Sequence, residues 1–316
     1  MYIKDLRLND QLDDIFYIVT VSRNVSTSNK PYASLVLQDK TGTVDAKKWD
    51  LSLQDEEILK AGNFIHVEGI VQEFNNKPQF RLSACSLIDP SKLNKADFMN
   101  SSPVPIKDLE KKLDYYLSLI TKTNLHSLTK TIIDKRRGLF LNGVAATKIH
   151  HDFIGGLVFH TVSMCGLADK IVDHLNETYP DNPVDKSLLI AGCLLHDIGK
   201  IEEIEVDTVS KYTTKGHLIG HISLGFSIIS ETAKSMNLQG DEDVILLQHM
   251  VLSHHGKHEY GSPVLPMFKE AFLLSMIDDM DSKANFIDKA YDDLNKGEFS
   301  KNQFAFDNRP IYKPKK

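Results

Sequence analysis

Residues 186–200 read KSLLIAGCLLHDIGK. An apolar run of this length, with no polar stripe, reads as a helix buried in a core. At its inner end stand His196 and Asp197, two side chains able to bind a metal. A buried carboxylate is costly unless it is paired or coordinated. Alone, the dipeptide is equally well read as a core histidine bonded to its neighbour, so its meaning depends on the rest of the chain.

At 316 residues the chain is long for one hydrophobic core, and two domains are expected. No apolar run approaches the ~20 residues that span a bilayer, which predicts no membrane partner. The start, MYIKDLRLNDQLDD, has no apolar segment of the secretory type. Cys85, Cys165 and Cys193 lie far apart in apolar contexts. Buried free thiols and a cytoplasmic location are the expectation. The net charge of −6 is unevenly spread. Residues 91–150 carry 11 Lys/Arg against 5 Asp/Glu, residues 151–300 carry 11 against 24, and the tail from 301 carries 5 against 1. Bound divalent cations would offset the acidity of the long C-terminal stretch. Histidine is concentrated there too, with 12 of 13 from His126 onward.

Residues 1–89 contain five runs rich in β-branched and aromatic residues: QLDDIFYIVTVSRNV, YASLVLQD, TGTVDAKKWD, NFIHVEGIVQEFN and KPQFRLSACSLI. Asp39-Lys40-Thr41-Gly42 marks a tight turn, LSLQDEEILKAG a short helix between the third and fourth runs, and Asn75-Asn76-Lys77-Pro78 the last hairpin. Five strands with that one helix are the pattern of an OB-fold barrel. The stretch LVLQDKTGTVDAKKW resembles the nucleic-acid-binding OB-folds of single-strand binding proteins and tRNA synthetases. Such barrels stack bases on aromatics while cations follow the backbone. Tyr32, Trp49, Phe74 and Phe80 are the candidate platforms. Arg23, Lys30, Lys47, Lys48, Lys77 and Arg81 are the candidate cations. The competing reading has these aromatics packing the barrel.

Residues 90–124 read as a linker followed by a basic helix, with Leu109, Leu113, Tyr116, Leu117 and Ile120 on one stripe. Its cations, and Lys130, Lys135, Arg136 and Arg137 beyond it, form either a solvated face or a ramp for phosphates. The domain expected over 125–300 carries the histidines, and 301–316 is read as an extended basic tail.

Along that domain GGLVFHT brings His160 into a helix, and CLLHDIGK follows with His196, Asp197 and Lys200, the lysine read as lying on the His196 face. GHLIGH spaces His217 and His221 four apart, LSHHG ends an apolar helix with His254 and His255, and IDDMDSK sets Asp278 and Asp281 on one face. Imidazole and carboxylate together suit borderline and hard divalent ions. The order H…HD…H…HH…D resembles the HD superfamily of metal-dependent phosphohydrolases, an all-helical fold. Carried over residue by residue, the resemblance implies that His160, His196, Asp197 and Asp278 hold one ion. Asp197 would bridge to a second, held by His221, His254 and His255. Two ions would clamp the attacking and leaving oxygens of an in-line displacement, and Lys200 would neutralise a phosphate oxygen. Asp279 is an alternative to Asp278, and His217 to His221; His150, His151, His249 and His258 read as bystanders.

HD domains serve several phosphate substrates. HHGKHEYGSPVLP departs from the GYP signature of the cyclic-di-GMP branch, and no synthetase-like domain of the alarmone type precedes it. An OB-fold joined through a basic segment to an HD domain closely resembles the YhaM family of bacterial 3′–5′ exoribonucleases over nearly the whole chain. That resemblance implies a multidomain enzyme that releases nucleoside 5′-monophosphates from single-stranded RNA, with single-stranded DNA as a further substrate. It implies two divalent ions, Mn²⁺ first, with Mg²⁺, Fe²⁺ or Co²⁺ as alternatives, and leaves a homo-oligomer open. The competing readings are a phosphohydrolase of small nucleotides and a non-catalytic single-strand or replication-site DNA-binding protein.

Overall fold

The computed structural model describes residues 2–26, 28–74, 77–99, 102–145, 153–206, 210–292 and 294–316, leaving out the side chains of residues 95 and 96. His150, His151 and the Asn75-Asn76 turn lie outside the described residues. Two compact units form, one of Met1–Ser101 and one built mainly of Ser102–Glu205 and Lys211–Lys316.

The first unit is a closed five-stranded barrel. Its strands are β1 (Gln11–Val25), β2 (Pro31–Asp39), β3 (Gly42–Trp49), β4 (Phe64–Phe74) and β5 (Lys77–Ile88), in the order β1-β2-β3-β5-β4. The β3–β5 pairing is parallel and the rest are antiparallel. Period-two alternation decides what fills the barrel. On β2 it is Ala33, Leu35 and Leu37 that point inward, and on β3 Val44, Ala46 and Lys48. The Asp39 carboxylate ties the β2–β3 turn by accepting from the Thr41 backbone N–H at 2.7 Å and its hydroxyl at 2.6 Å. Helix α1 (Leu53–Ile58) sits between β3 and β4 behind a Ser52/Asp55 capping box.

The same alternation corrects two expected nucleic-acid contacts. Phe80 is fully buried, edge-on to Phe16 at 5.3 Å, so no face of its ring can receive a base. Lys48 faces inward and lies 3.5 Å from the buried-side carboxylate of Asp55. The run AKKW puts consecutive lysines on opposite faces, and only Lys47 faces out with Trp49.

The second unit is helical: α2 (Ile106–Ser118), α3 (Thr123–Asn142), α4 (Gly156–Thr178), α5 (Lys186–Leu195), α6 (Lys200–Glu203), α7 (Thr214–Ile219), α8 (His221–Ser235), α9 (Glu242–Ser253) and α10 (Lys269–Asp292). A short ribbon of β6 (Ile204–Glu205) and β7 (Lys211–Tyr212) follows α6. Helix α5 is the axis. Every residue from Ser187 to Leu195 is buried, packed by α3, α4, α9 and α10, as an all-round apolar helix requires. Truncating Leu189, Leu194 or Leu195 to alanine would cost about 2–5 kcal/mol each. The Asp185 carboxylate caps the helix by accepting from the Leu188 N–H at 3.0 Å. Helix α2 joins this core through Leu109, Leu113 and Leu117. The tail is not simply extended. It folds back through bridges between Phe299 and Tyr312 and between Gln303 and Arg309, and Lys313 donates to the Tyr291 and Leu294 carbonyls near the end of α10. Among the described residues no helix is long and apolar enough to cross a membrane.

Candidate metal centre and nucleic-acid interface

Helix α5 stops at Leu195, and His196 closes it with a fully buried ring. The expected continuation through Lys200 does not occur. Residues 196–199 turn, and Lys200 opens α6. The turn is tight because α8 crosses it: a Cβ on Gly199 would lie 2.0 Å from the His221 carbonyl oxygen. Glycine here is what lets the His196–Asp197 segment and the start of α8 share one place. GHLIGH is likewise not one helix. Gly220, at φ 78°, ends α7 and starts α8, so His221 turns inward while His217 stays exposed near Tyr212.

The centre gathers two groups of ligand atoms, each lying within 4.8 Å of one another. They are His160, His196 and Asp278, and His221, His254 and His255. Asp197 stands between them. Its Oδ2 lies 3.3 Å from His196 Nε2, and its Oδ1 lies 3.4 Å from His221 Nε2 and 3.7 Å from His254 Nε2. Asp279 belongs to neither group and pairs with Lys283 at 2.7 Å. His249 packs on Phe268, and His258 donates to the Ser262 carbonyl.

Every ring of the centre is held by its Nδ1. His196 donates to the Cys193 carbonyl at 2.9 Å, His254 to Val251 at 2.7 Å and His255 to Tyr260 at 2.7 Å. His160 donates to Asp281 at 2.7 Å, and His221 to Glu203 at 3.1 Å. An N–H committed in this way leaves Nε2 as the coordinating atom. The His196, His221 and His254 Nε2 atoms and Asp197 Oδ1 are buried and have no hydrogen-bond partner. Three orphaned imidazole nitrogens converging on a carboxylate with an orphaned oxygen are what a divalent cation satisfies, so the donor set fits one. Hydrogen-bonded core histidines would not share this arrangement.

Electrostatics agree. Burial would raise the Asp197 carboxyl, but the Lys200 ammonium at 2.7 Å and the His196 ring hold it well below the carboxylate range. Burial similarly opposes ionisation of Asp278, and the His160 hydrogen bond reverses the effect. His254 is kept neutral by burial and by its neighbours His255 and His196. His160 goes the other way. Burial lowers its proton affinity, yet Asp278 and Asp281 flank the ring and raise its pKa to about 10 in the ion-free protein. Lys200 remains charged, because Asp197 outweighs its burial.

Sequence reasoning missed the carboxylates that orient the ligands. Asp281 was visible as sharing the Asp278 face; its role in holding His160, assisted by the Ser163 hydroxyl, was not. Glu203 accepts both the backbone N–H and the Nδ1–H of His221, at 2.9 and 3.1 Å. Nothing in EEIE separates it from its acidic neighbours.

On the barrel, Tyr32 and Trp49 pair across β2 and β3 with rings stacked at 4.5 Å. Lys47 Nζ lies 5.4 Å from both ring centres and 4.9 Å from that of Phe74. Arg81 is exposed beside Lys47 on β5, and Lys77 is exposed on the same strand. Arg23 instead donates to the Glu56 carbonyl, and Lys30 pairs with Asp50 at 2.9 Å. On the helices Arg136 is half-buried. Arg137 departs from its expected phosphate role: it braces α3 to α2 through Glu110 and Asp114 at 3.2 and 2.8 Å, and pairs with Asp134 on its own helix at 2.8 Å.

A family model described as HD domain matches residues 157–283, and one described as OB-fold nucleic acid binding domain matches residues 18–88. Curated relatives named 3′-5′ exoribonuclease YhaM align along nearly the full length. The protein from Geobacillus sp. (strain WCH70) is 37% identical over 308 residues, 97% of this chain and 93% of that one. Those from Shouchella clausii (strain KSM-K16) and Bacillus subtilis (strain 168) are 36% and 35% identical, covering 99% and 97% of this chain and 96% of each relative. With its metal-ligand cluster in the HD unit and its aromatic and cationic face on the barrel, the chain belongs to the YhaM family.

Proposed function

We propose that the chain is a metal-dependent 3′–5′ exoribonuclease. It holds single-stranded RNA on the barrel of residues 1–89 and removes nucleoside 5′-monophosphates at the helical centre within 125–300. The observation that carries this is Asp197, whose two oxygens face two separate histidine groups. We assign His160, His196, Asp278 and Asp197 to one ion, and His221, His254, His255 and Asp197 to a second, with Mn²⁺ as the first candidate. Such ions supply Lewis acidity that activates a water and polarises the scissile phosphate.

The chain's own groups do the rest. The five Nδ1 anchors fix the ring planes before substrate arrives, so orientation is not lost during turnover. Lys200, 2.7 Å from Asp197 and lining the same cavity, places a permanent positive charge where a phosphate oxygen becomes more negative. Tyr32, Trp49, Phe74, Lys47 and Arg81 offer ring faces and cations to a strand without reading its bases. Hydrolysis of a phosphodiester at such a centre needs no 2′-hydroxyl, so the proposal extends to single-stranded DNA. The unpaired cysteines, two of them buried, suit the cytoplasm.

The test compares 5′-labelled and 3′-labelled single-stranded RNA digested with Mn²⁺ by the wild type and by Asp197→Ala. A 5′-labelled ladder that shortens stepwise, and is absent with the variant, is expected. Internal cleavage, or a variant as active as the wild type, would sink the assignment.

A further inference from the structure

The metal centre opens into a cavity of about 550 Å³. That lies within the ~300–1,000 Å³ of small-ligand sites, a size for one nucleotide rather than a length of strand. Its floor is the ligand set. Its walls are of different chemistry. One is the loop after the paired histidines, with Lys257 and Tyr260; the other is a face of α10, with Met276, Asp279 and Lys283 at helical spacing. Tyr260 is 59% exposed and Met276 62% exposed, so two large side chains with apolar surface flank a cavity that also holds aspartates, lysines and histidines.

The backbone that carries Tyr260 is tied into a compact turn. The Tyr260 N–H donates to the Lys257 carbonyl at 3.2 Å, Ser262 N–H donates to the same carbonyl at 3.2 Å, and Gly261 N–H donates to His258 at 2.9 Å. The His258 ring donates to the Ser262 carbonyl at 2.9 Å. Lys257 Nζ stands 5.2 Å from the Tyr260 ring centre and covers one face. The carbonyl of Tyr260 is the group that fixes His255. One residue therefore both lines the cavity and offers its backbone carbonyl to a candidate metal ligand.

We propose that Tyr260 is the stacking platform for the 3′-terminal nucleobase, with Met276 as the opposing wall and Lys257 directed at the adjoining phosphate. This rests on the exonuclease reading of the centre. A tyrosine face accepts any base, because every base has a π-face. The thioether of Met276 adapts to purine or pyrimidine. Seating the base on the residue that anchors His255 registers the terminal phosphodiester against the ligand set. A cavity holding one nucleotide then limits each cut to one residue.

Binding is measured by titrating adenosine 5′-monophosphate, and separately ribose 5-phosphate, into full-length Mn²⁺-loaded protein. The proteins are the wild type, Tyr260→Ala and Tyr260→Phe. Loss of one base–aromatic stack weakens binding of adenosine 5′-monophosphate by roughly 5- to 150-fold in Tyr260→Ala. Tyr260→Phe stays within about twofold of wild type by the same reasoning. Ribose 5-phosphate, which has no base, binds all three alike. No binding of adenosine 5′-monophosphate to the wild type, no loss on Tyr260→Ala, or equal loss for both ligands overturns the proposal; the last result would make Tyr260 only a support for His255. A parallel digest of 5′-labelled RNA separates the two readings. If the wild type shows the base-dependent binding but releases no mononucleotide, the exonuclease reading fails and the slot stands.

Discussion

Replacing Gly199 with alanine puts one methyl group where the start of α8 already runs. The new Cβ would sit 2.0 Å from the His221 carbonyl oxygen, 2.8 Å from its carbonyl carbon and 2.6 Å from the Gly225 nitrogen, all backbone atoms. None of these can rotate away as a side chain would, so α8 must retreat by about 1 Å or more to reach van der Waals contact. Overpacking of this kind costs roughly 1–3 kcal/mol. For a unit of this size that lowers Tm by roughly 2–12 °C. The functional loss is larger than the stability loss, since α8 begins with His221. A displacement of about 1 Å at a reacting centre can cost about 100-fold in rate. The assay is stepwise shortening of 5′-labelled RNA at saturating Mn²⁺, with Tm and circular dichroism to show that the variant is folded. Gly138→Ala is the matched control. Gly138 lies exposed inside α3, and its added Cβ meets nothing within 4 Å. Removing a helix-interior glycine there stabilises by about 0.5–1 kcal/mol and leaves activity as it was. Gly199→Ala with wild-type rate and metal affinity would refute the close approach and the reasoning built on it.

Asp281→Asn removes the charge that orients His160, and should weaken Mn²⁺ binding by about 10- to 100-fold, with activity recovered at high Mn²⁺. A deficit that added Mn²⁺ does not repair would count against a positioning role. Ion binding should release protons, because an ion at His160 Nε2 displaces the proton that Asp278 and Asp281 hold there up to a pKa of about 10. Calorimetry in buffers of differing ionisation enthalpy reads this, and apparent affinity should rise with pH. The sign for folding is opposite. His160 supports the ion-free protein fully below the unfolded value of 6.5, and that support is lost as pH rises through about 10. Saturating Mn²⁺ should raise Tm over the chelated protein; at about 1,000 times Kd the gain is about 4 kcal/mol, and an unchanged Tm would contradict an ion bound by the folded state. Trp49→Ala should raise KM for long RNA by roughly 5- to 150-fold with little change in kcat, and an equal effect on a dinucleotide would make the Tyr32–Trp49 pair structural.

The clustering of these side chains was legible because their chemistry is rare and their setting is not: His196, His254 and Asp278 each follow or interrupt an apolar run, and a run fixes burial. Helix ends were less legible. His196–Lys200 looks helical, and only the crossing of α8 over Gly199 makes it a turn, a contact between residues some 22 apart. The supporting carboxylates were hidden for the same reason. Glu203 and His221 lie 18 residues apart, with the β6–β7 ribbon between, and no local period joins them. On the barrel the five strands followed from alternation, but the facing of AKKW and of Phe80 depended on register. A single-residue difference in register exchanges stacking platform for core. Arg137 shows a related limit: basic composition does not reveal that Glu110 and Asp114 on the neighbouring helix already hold the charge.

The orphaned atoms at the end of α5 explain why the centre and the fold are hard to separate. An apolar helix buried on all sides ends in His196, and three imidazole nitrogens and one carboxylate oxygen there lack hydrogen-bond partners. Each unsatisfied buried group costs of order 1–3 kcal/mol. Native stability is itself only about 5–15 kcal/mol. A divalent cation coordinated by these atoms satisfies them together, so cation binding and folding favour each other. The Nδ1 anchors on Cys193, Val251, Tyr260, Glu203 and Asp281 hold the rings in place, because each is a backbone carbonyl or a carboxylate of a folded element. Asp197, whose two oxygens face both histidine groups from the end of the core helix, then ties any cation held there to the packing of that helix.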